Sequence, residues 1–204
     1  MTNTIFSSGG RRKYLNNSEI NLFMKASALF SDDIQAFCLM IAYTGCRISE
    51  ALSLCERSID FTSRCVIILS LKKRGKIVYR SVPLPTDYLR FLRTWMNSRN
   101  DSMDHLWPWS RMTGYRRIRE VMQAANIDGY HASPKGLRHG FGVRAIQASV
   151  PLNLVQRWLG HVNIKTTAIY ADAVGPEERQ LASKMWKSPS SHLRPSLRSA
   201  SITT

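Results

Sequence analysis

Four segments place a cationic or nucleophilic side chain beside a turn or a helix-ending glycine. They are TGCRISE (44–50), LKKRGK (71–76), PKGLRHGFG (134–142) and LGHVNIKTTAIY (159–170). Arginine forks and lysine ammonium groups hold oxyanions, and a hydroxyl is a nucleophile once something takes its proton. Taken singly, each segment has a plain structural reading. Arg47 is then a capping or surface arginine, and the 72–76 lysines a solvated turn that blunts a sheet edge. Lys135 and Arg138 become a solvated face, His161 a satisfied core histidine and Tyr170 a packing residue. Lys135 and Arg138 are three apart, which puts them on one face of a helix.

The bulk composition agrees with an acidic partner. The chain has 204 residues, with 29 Lys plus Arg against 14 Asp plus Glu, a formal net charge of +15. At 44% hydrophobic and 21% charged it can bury a core, which excludes a disordered basic tail. The length suits one domain. The longest apolar run, 36–43, is far shorter than a membrane helix needs, and MTNTIFSSGG lacks the charged-then-apolar order of a signal peptide. A cytoplasmic protein is expected. Cys38, Cys46, Cys55 and Cys65 are eight to ten residues apart with no C-x-x-C pair, so reduced thiols rather than a metal site are expected.

The elements that must position these residues read as mainly α with a small antiparallel β-sheet. Ser18 followed by Leu22, Phe23, Ala26, Leu29 and Phe30 predicts a capped amphipathic helix. Asp32 or Asp33 caps a second helix, apolar nearly all round, that stops at Gly45, and Arg47 enters a short third one. CVIILSL (65–71) and KIVYRSVPL (76–84) are β-branched runs joined by a basic tip, a hairpin signature. Helical patterns follow at 86–97, 113–125, 135–149, 152–159, 163–170 and 176–187. Residues 1–14 form a polar arm and 188–204 a Ser/Arg-rich tail, both expected to be flexible, leaving 15–187 as the folded domain.

Order and spacing change the reading of the four segments. There is an arginine soon after a glycine, a lysine in a hairpin and a basic-x-x-Arg pair, then Leu-Gly-His with a tyrosine nine residues beyond the histidine. This pattern resembles the tyrosine recombinase (phage integrase) family, as do the words T-G-C-R-I-S-E-A-L, R-S-V-P-L-P, G-L-R-H-G-F and L-G-H-V-x-I-x-T-T-x-x-Y. The resemblance implies a site-specific recombinase that cleaves and rejoins DNA through a 3′-phosphotyrosyl link without metal, ATP or other cofactor. Tyr170 would be the nucleophile, and Arg47 and Arg138 would hold the non-bridging oxygens. A hairpin lysine would protonate the leaving 5′-oxygen: Lys72 fits best, with Lys73 and Lys76 close enough to leave the register open. His161 would hydrogen-bond the phosphate and Glu50 would orient the basic cluster. Lys135 stands where the family most often has histidine. A lysine is ordinarily protonated at neutral pH, which favours a cationic contact over a proton acceptor and leaves the base unassigned. His139 is expected to point elsewhere and to be structural.

The remaining basic residues, Lys73, Arg74, Lys76, Arg116, Arg117, Arg119 and Lys165, are read as DNA-backbone contacts, as are Arg111, Arg144 and Arg157. The resemblance further implies double-stranded DNA with specific sites as the partner, in a bacterial, nucleoid-associated setting. It implies a tetramer on two sites, helix 176–187 docking on a neighbour, and accessory DNA-bending proteins as possible helpers. The length resembles catalytic-domain-only members such as fimbrial phase-switch invertases, or plasmid- and transposon-borne integrases. Two other readings stand beside the recombinase. One is a DNA-binding accessory or regulatory protein with little catalysis; the other is a relaxing topoisomerase or hairpin-forming resolvase.

Overall fold

The computed structural model describes residues 4–70, 78–99 and 104–171, together with Ser183. Two units partition the chain, Met1–Ala173 and Val174–Thr204. Nearly all of the second lies outside the described residues, including the expected helix 176–187 (apart from Ser183) and the tail 188–204.

Helix α1 (Asn17–Ser27) is capped at Asn16, two residues before the expected cap. Asn16 accepts the Glu19 amide and Glu19 accepts the Asn16 amide, a reciprocal capping box. Helix α2 (Asp32–Thr44) is capped at Ser31, with Asp32 and Asp33 in its first turn, where the positive end of the helix favours them. It ends at Gly45 with φ 61°. A Cβ there would be strained and would also lie 2.6 Å from the Phe141 ring, so the turn before Arg47 requires glycine on two counts. Helix α3 (Ile48–Leu52) follows directly.

A three-stranded antiparallel sheet comes next: β1 (Ile59–Asp60), β2 (Cys65–Leu69) and β3 (Tyr79–Pro83) in that order. The hairpin is where the β-branched pattern puts it, with Val66 opposite Val82 and Ile68 opposite Arg80. The two-residue β1 has too few residues to carry a period and is added only by pairing with β2. The hairpin tip, 71–77, with Lys72, Lys73, Arg74 and Lys76, lies outside the described residues.

Helices α4 (Thr86–Ser98), α5 (Arg111–Ala124), α6 (Pro134–Gln147), α7 (Leu152–Leu159) and α8 (Lys165–Ala168) complete the domain. Helix α2 runs through the main core, with Phe37, Met40 and Ile41 buried. Its solvent-shielded face carries polar ties: Tyr88 donates to the Ala36 carbonyl at 2.7 Å and Trp107 Nε1 to the Asp33 carbonyl at 2.8 Å. Trp107 stacks on Trp95 at 5.5 Å and meets Phe37 edge-on at 5.3 Å, so the Trp-Pro-Trp loop closes the core.

A second, smaller core joins α6, α7 and the Tyr170 segment, and residues 4–14 belong to it. Ile5 is 1% exposed and Tyr14 is buried, packed with Val143, Val155, Leu159, Ile169 and Tyr170. Phe6 bridges Arg12, whose guanidinium pairs with Glu19. This differs from the flexible arm expected for 1–14. Burying one side chain of the size of isoleucine contributes about 1.5–3 kcal/mol, enough to hold a short polar segment that composition alone describes as an arm. Among the described residues, no helix is long and apolar enough to cross a membrane.

Candidate active site

Arg47, Lys135, Arg138, His161 and Tyr170, which lie on three of the four segments, line one cavity of about 620 Å³. The α2–α3 turn brings Arg47, the N-terminal half of α6 brings Lys135 and Arg138, the turn after α7 brings His161, and the residues after α8 bring Tyr170. Arg111, at the start of α5, lines the same cavity.

Each arginine is held differently. Arg138 is buried and donates from Nη1 to the Gly45 carbonyl at 2.6 Å and from Nη2 to the Leu159 carbonyl at 2.7 Å. Those carbonyls sit at the C-terminal ends of α2 and α7, where the partial negative charge of a helix favours a cation. Neutral carbonyls fix the guanidinium without cancelling its charge. Burial, and then the like charge of Arg47, lower its pKa to about 10, so it remains a cation at neutral pH. Arg47 caps α3 and donates from Nη1 to Glu50 at 2.8 Å, with its side chain still about one-third exposed to the cavity side.

Glu50 is fully buried and serves two arginines. Its Oε1 accepts from Arg47, and its Oε2 accepts from the Arg47 amide at 2.9 Å and from Arg80 Nη2 at 2.6 Å. Burial alone pushes its pKa up, but the Arg80 hydrogen bond and charge, with the Arg47 amide and charge, outweigh it and leave the carboxyl below its ordinary value. Arg80 is itself buried; it also donates to the Trp158 carbonyl at 2.7 Å and to Ser70 Oγ at 3.0 Å. Arg47, Arg80 and Arg138 against one Glu50 leave an excess of positive charge in a partly dry site. That is the electrostatic condition for holding an anion.

Arg80 is the site residue that sequence reasoning missed. Its signal was parity: it shares the inward face of β3 with Val82, and a charge at an inward strand position needs a buried partner. His139 is the other correction. It does not point away; its Nδ1 lies 3.1 Å from the Tyr170 hydroxyl, and it lines the cavity. The expectation used the angular step between successive helical residues and could not know that Tyr170 packs across α6.

Both histidines are held neutral. Burial, followed by Arg138 and Arg47, lowers His161 to about 3, and burial, followed by Lys135 and Arg138, lowers His139 to about 4, from 6.5. His161 Nδ1 is 2.9 Å from the Thr167 hydroxyl, and its ring lies nearly parallel to that of Tyr170 at 6.2 Å. Burial raises Tyr170 to about 12 although Arg138 and Arg47 pull the other way. Because the folded-state values of His139 and His161 are depressed, their contribution to stability is complete above pH 6.5. It is lost as pH falls toward 4, with Glu50 adding a loss of the same sign at lower pH. Thermal melts of the DNA-free protein from pH 7 to pH 4 should therefore show a loss of a few kcal/mol, about 1.4 kcal/mol per pH unit per group at most. His161→Asn should flatten the curve; an unchanged curve would refute the neutral-histidine assignment.

The peripheral basic residues divide. Arg116 and Lys165 are exposed, Arg117 pairs with Glu120 at 3.0 Å, and Arg119 donates to the Ala132 carbonyl. Among the described residues, no group of three or more His, Cys, Asp or Glu side chains is placed to hold a metal ion.

The helical fold with its small antiparallel sheet is that of a tyrosine recombinase catalytic domain. A solved structure of XerA recombinase superposes with a TM-score of 0.74 at 23% identity, covering 84% of this chain and 64% of that one. XerH recombinase bound to its palindromic difH substrate in a post-cleavage complex gives a TM-score of 0.70 at 25% identity, covering 89% of this chain and 56% of that one. Residues 13–175 match the phage integrase family, and the chain belongs to it.

Its relatives include tyrosine recombinase XerC of Chromobacterium violaceum, 33% identical over 62% of this chain and 43% of that protein. The type 1 fimbriae regulatory protein FimE of Escherichia coli K12 is 29% identical over 78% of this chain and 85% of its own length. The chain spans about half the length of its Xer relatives, with 43% of XerC and 49% of Yersinia pestis XerD covered.

Proposed function

We propose that the protein is a site-specific DNA recombinase in which Tyr170 attacks a phosphodiester to give a 3′-phosphotyrosyl link and a free 5′-hydroxyl. The observation that carries this reading is the convergence of Arg47, Arg138, His161 and Tyr170 on one cavity with uncancelled positive charge. The pentavalent phosphorus builds charge on two non-bridging oxygens, and two guanidinium groups supply the compensation, so neither metal nor ATP is required. His161 adds a hydrogen bond to the phosphate, and Lys135, exposed at the cavity edge, adds a cationic contact. Lys72 is the proposed acid for the leaving 5′-oxygen, with Lys73 and Lys76 as neighbours in register. Exposed Arg116 and Lys165, together with Lys73, Arg74 and Lys76, contact the DNA backbone in a salt-dependent way. Arg117 and Arg119 act mainly through their internal partners. Assembly as a tetramer on two sites, with segment 176–187 docking on a neighbour, completes the proposal.

Incubation with a pool of nicked duplexes of randomised sequence tests it. Wild type should form a covalent protein–DNA adduct that survives denaturation, and Tyr170→Phe should form none. The buried Tyr170, 1% exposed, favours a second reading, a DNA-binding accessory protein with little catalysis. Absence of any wild-type adduct despite DNA binding would establish that reading instead.

A further inference from the structure

The reaction leaves one proton without a destination: the phenolic proton of Tyr170 must go somewhere as its oxygen bonds to phosphorus. Lys135 is an exposed ammonium-bearing side chain at the cavity edge. His161 has its Nδ1 occupied by Thr167 and meets the tyrosine ring face to face rather than through its hydroxyl. Among the described residues, the nitrogen base that contacts the Tyr170 oxygen itself is His139.

We propose that His139 is the proton acceptor for Tyr170, an inference that rests on the nucleophile assignment above. With its own proton on Nε2, the imidazole accepts from the phenol at Nδ1 across 3.1 Å. As the Tyr170 Oη–P bond forms and the P–O5′ bond breaks, the phenolic proton passes to His139 Nδ1. The leaving 5′-oxygen takes a different proton, from the hairpin acid. In the reverse, rejoining step the 5′-hydroxyl attacks phosphorus and gives its proton back to the hairpin base, the Tyr170 Oη–P bond breaks, and His139 returns its proton to the leaving phenolate.

The seat for this contact is built into α6. His139 and Gly142 are three apart and so share a helical face. A Cβ on Gly142 would lie 2.6–2.7 Å from three atoms of the Tyr170 ring, so only a glycine lets the ring settle against the helix with its hydroxyl at His139. The ring centroids of His139 and Tyr170 are 5.8 Å apart. Ile5, Val143 and Ile169 are buried in the same small core as the tyrosine.

The surrounding charges suit a base that works only when substrate is present. Besides the Tyr170 hydroxyl, the charged groups acting on His139 are Lys135 and Arg138, on its own helix, and Lys13 on the N-terminal segment. Burial acts first and these three cations add to it, so the free protein holds the imidazole neutral and a weak base. A phosphodiester entering the cavity places negative charge against Arg138 and Lys135, removes part of that repulsion and raises the basicity of His139 at the moment of attack.

The test compares His139→Ala and His139→Asn with wild type on a duplex that wild type cleaves, prepared with a 5′-bridging phosphorothiolate. That leaving group needs no proton, so the single-turnover rate reports the nucleophile side alone. Both variants should lose about 10²-fold or more in adduct formation, while DNA binding and thermal melting stay close to wild type. If Asn, which keeps a hydrogen-bond acceptor but no base, cleaves within a few-fold of wild type, His139 is not the proton acceptor. Full activity of the Ala variant would overturn the proposal outright. A Tyr170→Phe protein that still forms an adduct refutes the nucleophile assignment instead. The contact is also readable without DNA: Tyr170→Phe should shift the His139 Nδ1 resonance away from that of a hydrogen-bond acceptor, and an unchanged resonance would overturn the proposal.

Discussion

Arg138→Lys is expected to slow DNA cleavage by about 10²–10³-fold while weakening DNA binding far less. The guanidinium is clamped by carbonyls at the ends of two helices, Gly45 and Leu159, each within 2.7 Å. An ammonium group on a flexible stem lacks the planar fork that bonds both carbonyls and still presents a donor edge. The loss is one preorganised transition-state donor, and removal of such a donor costs roughly 2.7–4 kcal/mol in other enzymes. Ground-state grip on DNA draws on many phosphate contacts and should change little. Single-turnover cleavage and equilibrium binding, measured on the same duplex, separate the two. A cleavage rate within threefold of wild type would refute the role assigned to the fork.

Glu50→Gln is expected to cost about 3–5 kcal/mol of folding stability, the usual penalty for removing one partner of a buried ion pair. Glu50 is fully buried and the Arg80 side chain only 3% exposed, so the substitution strands a guanidinium with no water to replace the carboxylate. Denaturant unfolding should show the loss as a lower midpoint at unchanged slope. The partner change gives a sharper check. Arg80→Met alone should also destabilise, but the Glu50→Gln/Arg80→Met pair should be less damaging than the sum of the two, because the stranded charge is gone. Additive losses would show that Glu50 and Arg80 do not act as a unit. Because Glu50 also aims Arg47 through its other oxygen, any Glu50→Gln protein that folds should cleave slowly as well.

Most of the architecture was legible because periodicity survives averaging. The β-branched runs of 65–71 and 76–84 became β2 and β3, and the apolar α2 became the centre of the main core. Boundaries moved by one or two residues where capping chemistry decided them, as when Asn16 rather than Ser18 closed the box with Glu19. Residues 4–14 were misread because two apolar side chains, Ile5 and Phe6, were diluted in a polar stretch. What orders them is a pocket supplied by Val143, Val155 and Ile169, far along the chain.

The sequence by itself determined that this chain carries an oxyanion-binding, nucleophile-bearing set of residues and belongs among phage integrases. Residue type and spacing encode chemistry locally: arginine forks, a histidine after a glycine turn, a tyrosine nine positions on. Only the tertiary structure decided how that chemistry is wired. Arg138 rests on two helix ends, Glu50 is shared between Arg47 and an unsuspected Arg80, and His139 faces the tyrosine it was expected to avoid. Apart from the local Arg47–Glu50 pair, each of these contacts joins residues 21 or more positions apart. Hydrogen-bond partners at that separation are set by how helices pack, which no single stretch of sequence records.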